Sequence, residues 1–256
     1  MRVLIIAAGY ATRLYPLTRD FPKPLLEVGG QTILDHLMDQ IREIDGIEHV
    51  HLVTNHRFVG HFDQWAAERT ARSKRAGRAH KGIRLDILDD GTTSNEDRLG
   101  AIGDMHFTIH KRGITDDLLV CAADNILQFP LKKMVRAFRA NPVSHICARE
   151  EPNVEDRKRR GVVVLDDADR VIEFQEKPEH PKSAWVALPI YIYPASVLAL
   201  IDRYMGLGHS VDAPGSFAEW LCTVEPVYAH KIDGSVLDIG NPESLAKARE
   251  MMKDKG

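Results

Sequence analysis

The apolar positions of this chain change period along its length, and those changes mark out its elements. Residues 3–8 are an unbroken apolar run that predicts a buried strand. The run ends in Ala7-Ala8-Gly9, small residues that let another molecule come close to the backbone. The stretch that follows has no helical period and is stiffened by Pro16, Pro22 and Pro24, so it predicts an irregular loop. Gly29-Gly30 predicts a turn, and Thr32 can cap a helix whose apolar positions are Ile33, Leu34, Leu37, Met38, Ile41 and Ile44. A strand over 49–54, a helix over 59–71 and a strand over 83–88 come next. Ser94 or Asn95 can cap a helix carrying Leu99, Ile102, Met105 and Ile109.

Further along, 118–123 predicts a strand, 129–140 a helix and 144–149 a strand, and 161–165 with the run from Val171 predicts a hairpin. Residues 185–193 predict an apolar strand, 195–204 a helix, 212–215 a turn, 217–221 a short helix and 227–232 a strand. Pro242 suits the first turn of a last helix. Strands alternating with helices from the start imply an α/β fold of parallel βαβ units in a doubly wound sheet. Ligands of such sheets sit beyond the carboxyl ends of the strands, where Gly9 and Asn55 would lie.

Length and charge narrow the picture. A chain of 256 residues with no Pro/Gly/Ser-rich linker is read as a single domain over 1–256. A net charge of −3 gives no reason to expect nucleic acid or a membrane surface as a partner. The first apolar run is too short for a signal sequence, and no run approaches the ~20 residues of a membrane span, so a soluble chain is expected. Cys121, Cys147 and Cys222 form no C-x-x-C, and reduced core thiols in the cytoplasm follow. The basic stretch over 69–84 lacks interleaved aromatics and is read as a solvated helix end and loop, as is 157–160. Twelve histidines are scattered; His49 and His51 would share a strand face, but no H-x-x-x-H or Cys partner stands beside them, so no zinc site is expected.

Three places carry candidate chemistry. A strand feeding a small-residue turn with Arg13 and Lys23 beyond it is a plausible phosphate cradle. Asp124, at the end of a buried strand, calls for a cationic partner such as a divalent metal, although Asp-Asn is equally a common turn pair. Asp238 alone is a turn aspartate before a helix, and Glu176-Lys177 alone is a charged strand end.

Those residues also carry a resemblance. The stretch Ala7-Ala8-Gly9-Tyr10-Ala11-Thr12-Arg13-Leu14-Tyr15-Pro16-Leu17-Thr18, then Pro22-Lys23-Pro24-Leu25-Leu26-Glu27-Val28, resembles the signature of the nucleotidylyltransferases that activate sugar 1-phosphates. That signature is written G-x-G-T-R-x-x-P-x-T followed by P-K-P-L-x-x-V; Ala11 stands here for its second glycine. Gly161-Val162-Val163 with Glu176-Lys177-Pro178, and Asp238-Ile239-Gly240-Asn241-Pro242-Glu243, are further matches in order. The resemblance implies a Rossmann-like three-layer α/β/α fold with a mostly parallel central sheet and a small β-hairpin region for the acceptor.

By the same resemblance Ala7, Ala8, Gly9, Thr12 and Asn55 would line the nucleotide site, and Leu99, Gly100 and Ala101 would read the base. Arg13 would hold the β- and γ-phosphates, Lys23 the α-phosphate, and Asp124 with Asp238 a Mg²⁺ ion. Gly161, Glu176 and Lys177 would bind the acceptor, the glutamate taking sugar hydroxyls and the lysine the phosphate. The partners implied are a nucleoside triphosphate and a phosphorylated small-molecule acceptor. Self-association is frequent in such families, and no distinctive interface stripe stands out here.

The expected reaction is attack of the acceptor phosphate on the α-phosphorus, giving an NDP-linked product and pyrophosphate. Ala187-Leu188-Pro189 departs from the polar-then-Ala-Gly pattern of sugar-specific members. That departure supports an alternative with the same chemistry, a cytidylyltransferase acting on a phospho-alcohol or phosphonate. A non-catalytic nucleotide-sensing subunit is a third reading, against which stand Lys23, Asp124 and Asp238. Asp124-Asn125-Ile126 lacks the Asp-x-Asp of a metal-dependent glycosyltransferase, and no G-x-G-x-x-G follows the first strand as a dinucleotide oxidoreductase would need.

Overall fold

The structure is a computed structural model, and it describes residues 1–75 and 82–253. Among them the elements run β1 (Arg2–Ile6), β2 (Glu27–Val28), β3 (Gln31–Thr32), α1 (Ile33–Arg42), β4 (His49–Thr54), α2 (Val59–Arg75), β5 (Arg84–Asp89), α3 (Gly100–Arg112), β6 (Leu118–Ala122) and β7 (Asn125–Leu127). There follow α4 (Lys132–Ala140), β8 (Ser144–Glu150), α5 (Val154–Arg157), β9 (Gly161–Leu165), β10 (Val171–Glu176), β11 (Trp185–Tyr193), α6 (Ala195–Gly206), α7 (Pro214–Leu221), β12 (Val227–Lys231), β13 (Val236–Asp238) and α8 (Pro242–Met251). The chain divides into two compact units, one formed by residues 2–98, 122–131 and 235 onward, the other by 99–121 and 132–234.

In the first unit β1, β4 and β5 pair in parallel, with Val3 opposite Val50 and His49 opposite Arg84. Val3, Leu4 and Ile5 are wholly buried, as an unbroken apolar run in a parallel sheet requires. Thr32 caps α1 as its sequence predicts, its hydroxyl accepting from Asp35 N at 3.0 Å. Gly29 and Gly30 make the turn between β2 and β3 with φ of 60° and 76°, left-handed values that glycine takes without strain. A separate ladder pairs β7 with β13 antiparallel, and α8 follows it. Pro242 occupies the first turn of α8, behind a capping box made by Asn241 and Ser244. One apolar cluster joins the opening loop to this late segment through Leu14, Leu26, Ile126, Ile239, Leu245 and Met252.

In the second unit β11 is the hub: it pairs antiparallel with β6, β8 and β9, while β12 lies parallel to β8 and β10 antiparallel to β9. The β9–β10 hairpin and the long β11 strand are as the sequence predicts. The register of β11 with β8 breaks between Ala187 and Tyr191, around Pro189, which has no N–H to give to a ladder. Tyr193, Tyr204 and Phe217 are almost fully buried, and they pack edge-on with ring centroids 5.4 Å apart.

Several expectations are corrected. Helix α3 starts at Gly100 and not at 95 or 96, because Asp97 holds the preceding residues in a tight turn by accepting from Thr93 N and Ser94 N at 3.0 and 2.8 Å. Helix α4 starts at Lys132, after Pro130, and α7 at Pro214, which leads its first turn. The basic stretch is less solvated than predicted. Arg69 is largely buried, forms an ion pair with buried Asp35 and lies over Trp65, and Arg72 reaches the same carboxylate at 3.2 Å. Burial pushes the Asp35 pKa up, but the two guanidiniums and the Thr32 hydroxyl leave it below the usual carboxylate value. Arg78 and Lys81 lie outside the described residues. Arg157 ends a single helical turn, Val154–Arg157, and 158–160 continue as the expected loop. Among the described residues, no helix is long and apolar enough to cross a membrane.

Candidate active site

In the first unit the site grows from the end of β1. Ala7 N donates to Val53 O at 2.9 Å and Ala8 O accepts from the Asn55 amide at 2.9 Å, so β4 clamps the turn from behind. Asn55 is fully buried, and its own Oδ1 takes Phe58 N at 3.1 Å. Its side chain therefore shapes the loop by holding the backbone at Ala8. Gly9 is exposed, and a Cβ there would meet nothing within 4 Å, so the backbone presents open space on that side.

The chain then passes through Ala11 in the left-handed region, φ 48°, and through a 3₁₀ turn over Thr12–Leu14. Thr18 fixes that conformation by donating to Ala11 O at 2.8 Å. Thr12 and Arg13 are exposed while Leu14 is buried in the apolar cluster, so one buried side chain anchors a turn that displays a guanidinium. A second 3₁₀ turn, Lys23–Leu25, is flanked by Pro22 and Pro24 and points Lys23 inward. Lys23 Nζ lies 3.1 Å from Asp124 Oδ2, with the lysine side chain 10% exposed and the aspartate 42%. A cleft of about 240 Å³ is lined by Gly9, Ala11, Arg13, Lys23, Asp124 and Gly240.

Asp124 follows β6 directly, held by Ala123 N donating to Ile6 O at 3.0 Å. Asn125 Nδ2 donates to Asp124 Oδ1 at 2.6 Å, and Asn125 faces Asp238 across the β7–β13 ladder. Ile239 N donates to Asp124 O at 3.4 Å, and Asp238 Oδ1 lies 3.7 Å from where a Cβ on Gly240 would be. Two aspartates separated by 114 positions in the sequence (238 − 124) thus stand at adjacent backbone positions beside a two-stranded ladder. A carboxylate has about four lone-pair sites, and Lys23 and Asn125 occupy one on each oxygen of Asp124. Capacity remains for a hard divalent cation, which an all-oxygen pair of carboxylates fits.

The second unit holds the remaining candidates in two places. At the start of α3, Ala101 N and Ile102 N donate to the carbonyls of Asp212 and Val211 at 3.1 and 2.9 Å. Gly100 has φ 77°, and a Cβ there would come 2.5 Å from Val211 O, so only glycine fits between Leu99 and the helix. The N–H groups of 101 and 102 are satisfied by protein, which leaves side chains and the Leu99-Gly100 backbone to do any base reading.

At the β9–β10 hairpin, Gly161 stands opposite Glu176. Glu176 is packed from two sides: a Cβ at Gly161 would lie 3.3 Å from its Oε2 and one at Gly215 only 2.0 Å. Lys177 closes the strand with φ 49°, donates its N–H to Arg160 O at 3.1 Å and puts Nζ 3.6 Å from Glu176 Oε1. Burial raises the Glu176 pKa, Lys177 pulls it back and Glu219 pushes it up again. Gly215, Glu219 and the buried Tyr191 were not singled out in the sequence. Pro214-Gly215 gives only a turn signal, and nothing local shows that its glycine must admit a carboxylate from 39 positions earlier (215 − 176).

A strand-end loop with a buried lysine on a strand-end aspartate, and a second aspartate beside the same small ladder, are thus brought together on a Rossmann-like α/β fold. The family model described as nucleotidyl transferase matches residues 2–255, and the chain belongs to that family. It is 26% identical over 255 residues to the bifunctional protein GlmU of Methanocaldococcus jannaschii, covering 100% of this chain and 55% of that protein. The chain thus spans about half the length of this relative. It is 25% identical over 258 residues to the UTP–glucose-1-phosphate uridylyltransferase AglF of Haloferax volcanii, covering 99% of this chain and 97% of that one. The structure of a UDP-glucose pyrophosphorylase complexed with UDP-glucose aligns with TM-score 0.81 at 19% identity, covering 100% of this chain and 99% of that chain.

Proposed function

We propose that this chain transfers a nucleoside monophosphate from a nucleoside triphosphate to a sugar 1-phosphate, releasing pyrophosphate. The observation that carries the reading is the Lys23–Asp124 pair in the cleft behind the Gly9 turn. The likeness to AglF, a UTP–glucose-1-phosphate uridylyltransferase, supports the class of reaction. An acceptor phosphate oxygen forms a bond to the α-phosphorus while the bond from that phosphorus to the bridging oxygen breaks, and pyrophosphate leaves with the electron pair. The acceptor phosphate has its second pKa near ~6 and is largely ionised at neutral pH, so no general base is required.

Charge neutralisation and alignment of two anions are what the residues must provide. Arg13, exposed on its 3₁₀ turn, takes the β- and γ-phosphates; Lys23 neutralises the α-phosphate as charge builds. Ala7, Ala8, Gly9 and Thr12 line the nucleotide, with Asn55 bracing them, and Leu99-Gly100 contacts the base. Asp124 and Asp238 hold a divalent metal, Mg²⁺ in this reading, which when bound offsets charge on the reacting phosphates. Glu176 accepts from acceptor hydroxyls against Gly161, and Lys177 takes the acceptor phosphate. Residues 1–256 work as one nucleotidyltransferase domain, since the family match runs from 2 to 255. Its setting is the cytoplasm: Cys121 and Cys147 are buried free thiols whose pKa values burial pushes up, that of Cys121 to about 12.

One observation favours a second reading with the same chemistry. Ala187 and Leu188 are buried and Pro189 interrupts the pairing of β11, so this part of the acceptor region is apolar, as a phospho-alcohol or phosphonate with CTP as donor would suit. The experiment is pyrophosphate release with Mg²⁺, offering CTP, UTP, dTTP, GTP and ATP against sugar 1-phosphates, phosphocholine and simple phosphonates. Release with a sugar 1-phosphate is expected; release only with phosphocholine or a phosphonate would replace the first reading by the second. Triphosphate binding without release from any pair would favour a nucleotide-sensing subunit.

A further inference from the structure

Twelve histidines occur in the chain, and two of them form a pair that the functional reading leaves unused. His106 and His110 are four apart on α3, so they share one helix face, with ring centroids 4.3 Å apart. Their Nε2 atoms converge on one oxygen of the neighbouring helix α6: Asp202 Oδ1 lies 2.8 Å from each. One ligand atom from each of the three residues lies within 4.8 Å of the others. The side chains are 34%, 56% and 52% exposed, so an ion can reach them from solvent without opening the fold.

We propose that His106, His110 and Asp202 form a surface site for Zn²⁺, with a water in the fourth position. The chemistry of the donors selects the ion. Two imidazoles and one carboxylate suit zinc and its first-row neighbours, whereas Mg²⁺ prefers oxygen and keeps its waters. With zinc–ligand bonds of ~2.0–2.1 Å, tetrahedral ligand atoms are about 3.3 Å apart, against separations of up to 4.8 Å among the three here. The two 2.8 Å contacts therefore have to open by roughly half an ångström and the wider separation has to close, by torsion of exposed side chains. In the ion-free arrangement each Nε2–H donates to the shared carboxylate oxygen. With zinc bound, each ring carries its proton on Nδ1 and turns the Nε2 lone pair to the metal. The helical spacing supplies two ligands and α6 the third, so the ion would staple α3 to α6 inside one unit.

The test uses tag-free protein stripped with a chelator and then dialysed. Zn²⁺ is titrated against a chromophoric competitor with millimolar Mg²⁺ present throughout, which keeps any oxygen-ligand site filled. One Zn²⁺ per chain is expected, with His110→Gln and Asp202→Asn each weakening binding at least tenfold while circular dichroism stays unchanged. Co²⁺ offered to the unmodified protein is expected to show the visible absorption of a low-coordinate, imidazole-containing site. Absence of the cobalt bands together with no zinc uptake at tens of micromolar would overturn the proposal, as would uptake that neither substitution weakens. Either result would leave the three residues as a hydrogen-bonded surface group.

Discussion

The two lysine–carboxylate pairs proposed to handle phosphate are built in opposite senses. In the first unit the lysine is the buried partner, Lys23 at 10% exposure against 42% for Asp124. In the second the carboxylate is buried, Glu176 at 18% against 58% for Lys177. Burial fixes a group, and exposure leaves it available. A fixed ammonium beside an open aspartate suits a place where charge develops on phosphorus and a cation has to be held. A fixed carboxylate beside an open ammonium suits neutral hydroxyls, which need orientation, next to a phosphate that arrives from solvent. The contrast sets how each pair should fail.

The largest effect is expected at the buried cation. Lys23→Ala should lower turnover on the order of 10²-fold or more, as the loss of a single preorganised donor does. Asp124 is open enough to be hydrated, so circular dichroism and Tm should change little. Activity within tenfold of the unmodified protein would remove Lys23 from the reaction.

Next comes the wall of the second pair. Gly215→Ala puts a Cβ 2.0 Å from Glu176 Oε2, so the glutamate must move. Overpacking of this kind costs roughly 1–3 kcal/mol. The acceptor KM is expected to rise while the KM for the triphosphate stays as it was, and an equal rise in both would break the division of labour between the pairs.

A smaller effect concerns pH. Because burial raises the Glu176 pKa, lowering the pH protonates it sooner than an exposed glutamate. The protonated acid accepts hydroxyls less well, so acceptor KM should climb on acidification by more than the acceptor phosphate's own protonation near ~6 explains, and Glu176→Gln should remove that excess. The linkage to stability has the other sign. A carboxyl with a raised folded-state pKa adds stability below its unfolded value, and that contribution is lost as pH rises through the folded one. An acceptor KM that follows pH identically in the parent and in Glu176→Gln would show that Glu176 does not meet the acceptor.

The smallest effect is at Ala11, whose φ of 48° costs an L-residue roughly 1–2 kcal/mol. Ala11→Gly relieves that strain and returns part of it as chain entropy in the unfolded state. Thermal melts should show a Tm equal to or slightly above that of the parent; a clear fall would mean that the Ala11 methyl contributes packing.

Elements with a single local cause were legible in the sequence. The buried strands β1 and β4, the Thr32 cap, the β9–β10 hairpin and Pro242 at the head of α8 each follow from a few adjacent residues. Asp124 was evenly balanced between turn and metal site on local grounds. The structure shows why local grounds could not separate the two: its setting depends on Asn125 pairing with Asp238. The start of α3 at Gly100 depends, besides the local Asp97 turn, on the distant carbonyls of Val211 and Asp212 that meet its first N–H groups. Arg69 looked solvated because its partner Asp35 lies on another helix. His106 and His110 do stand at H-x-x-x-H spacing, away from the His49–His51 strand where no such partner is found, and their third neighbour Asp202 lies 92 positions beyond His110. In each case the missing term is a contact between distant positions, which neither periodicity nor turn chemistry encodes.

The apolar cluster beneath the opening loop has a consequence for the order of synthesis. Leu14 and Leu26 pack with Ile239, Leu245 and Met252, and Gly29 comes within 3.1 Å of Met252 Cβ, counted from where its own Cβ would stand. The loop that displays Arg13 and Lys23 leaves the ribosome more than 200 residues ahead of its floor, 237 − 26 being 211. Until residues 237–252 have emerged, the nascent loop has no surface to settle on and Asp124 has no Asp238 beside the ladder. A ribosome-bound chain stalled before residue 236 should therefore carry the opening loop without the floor it packs on, and competence should appear only as α8 docks.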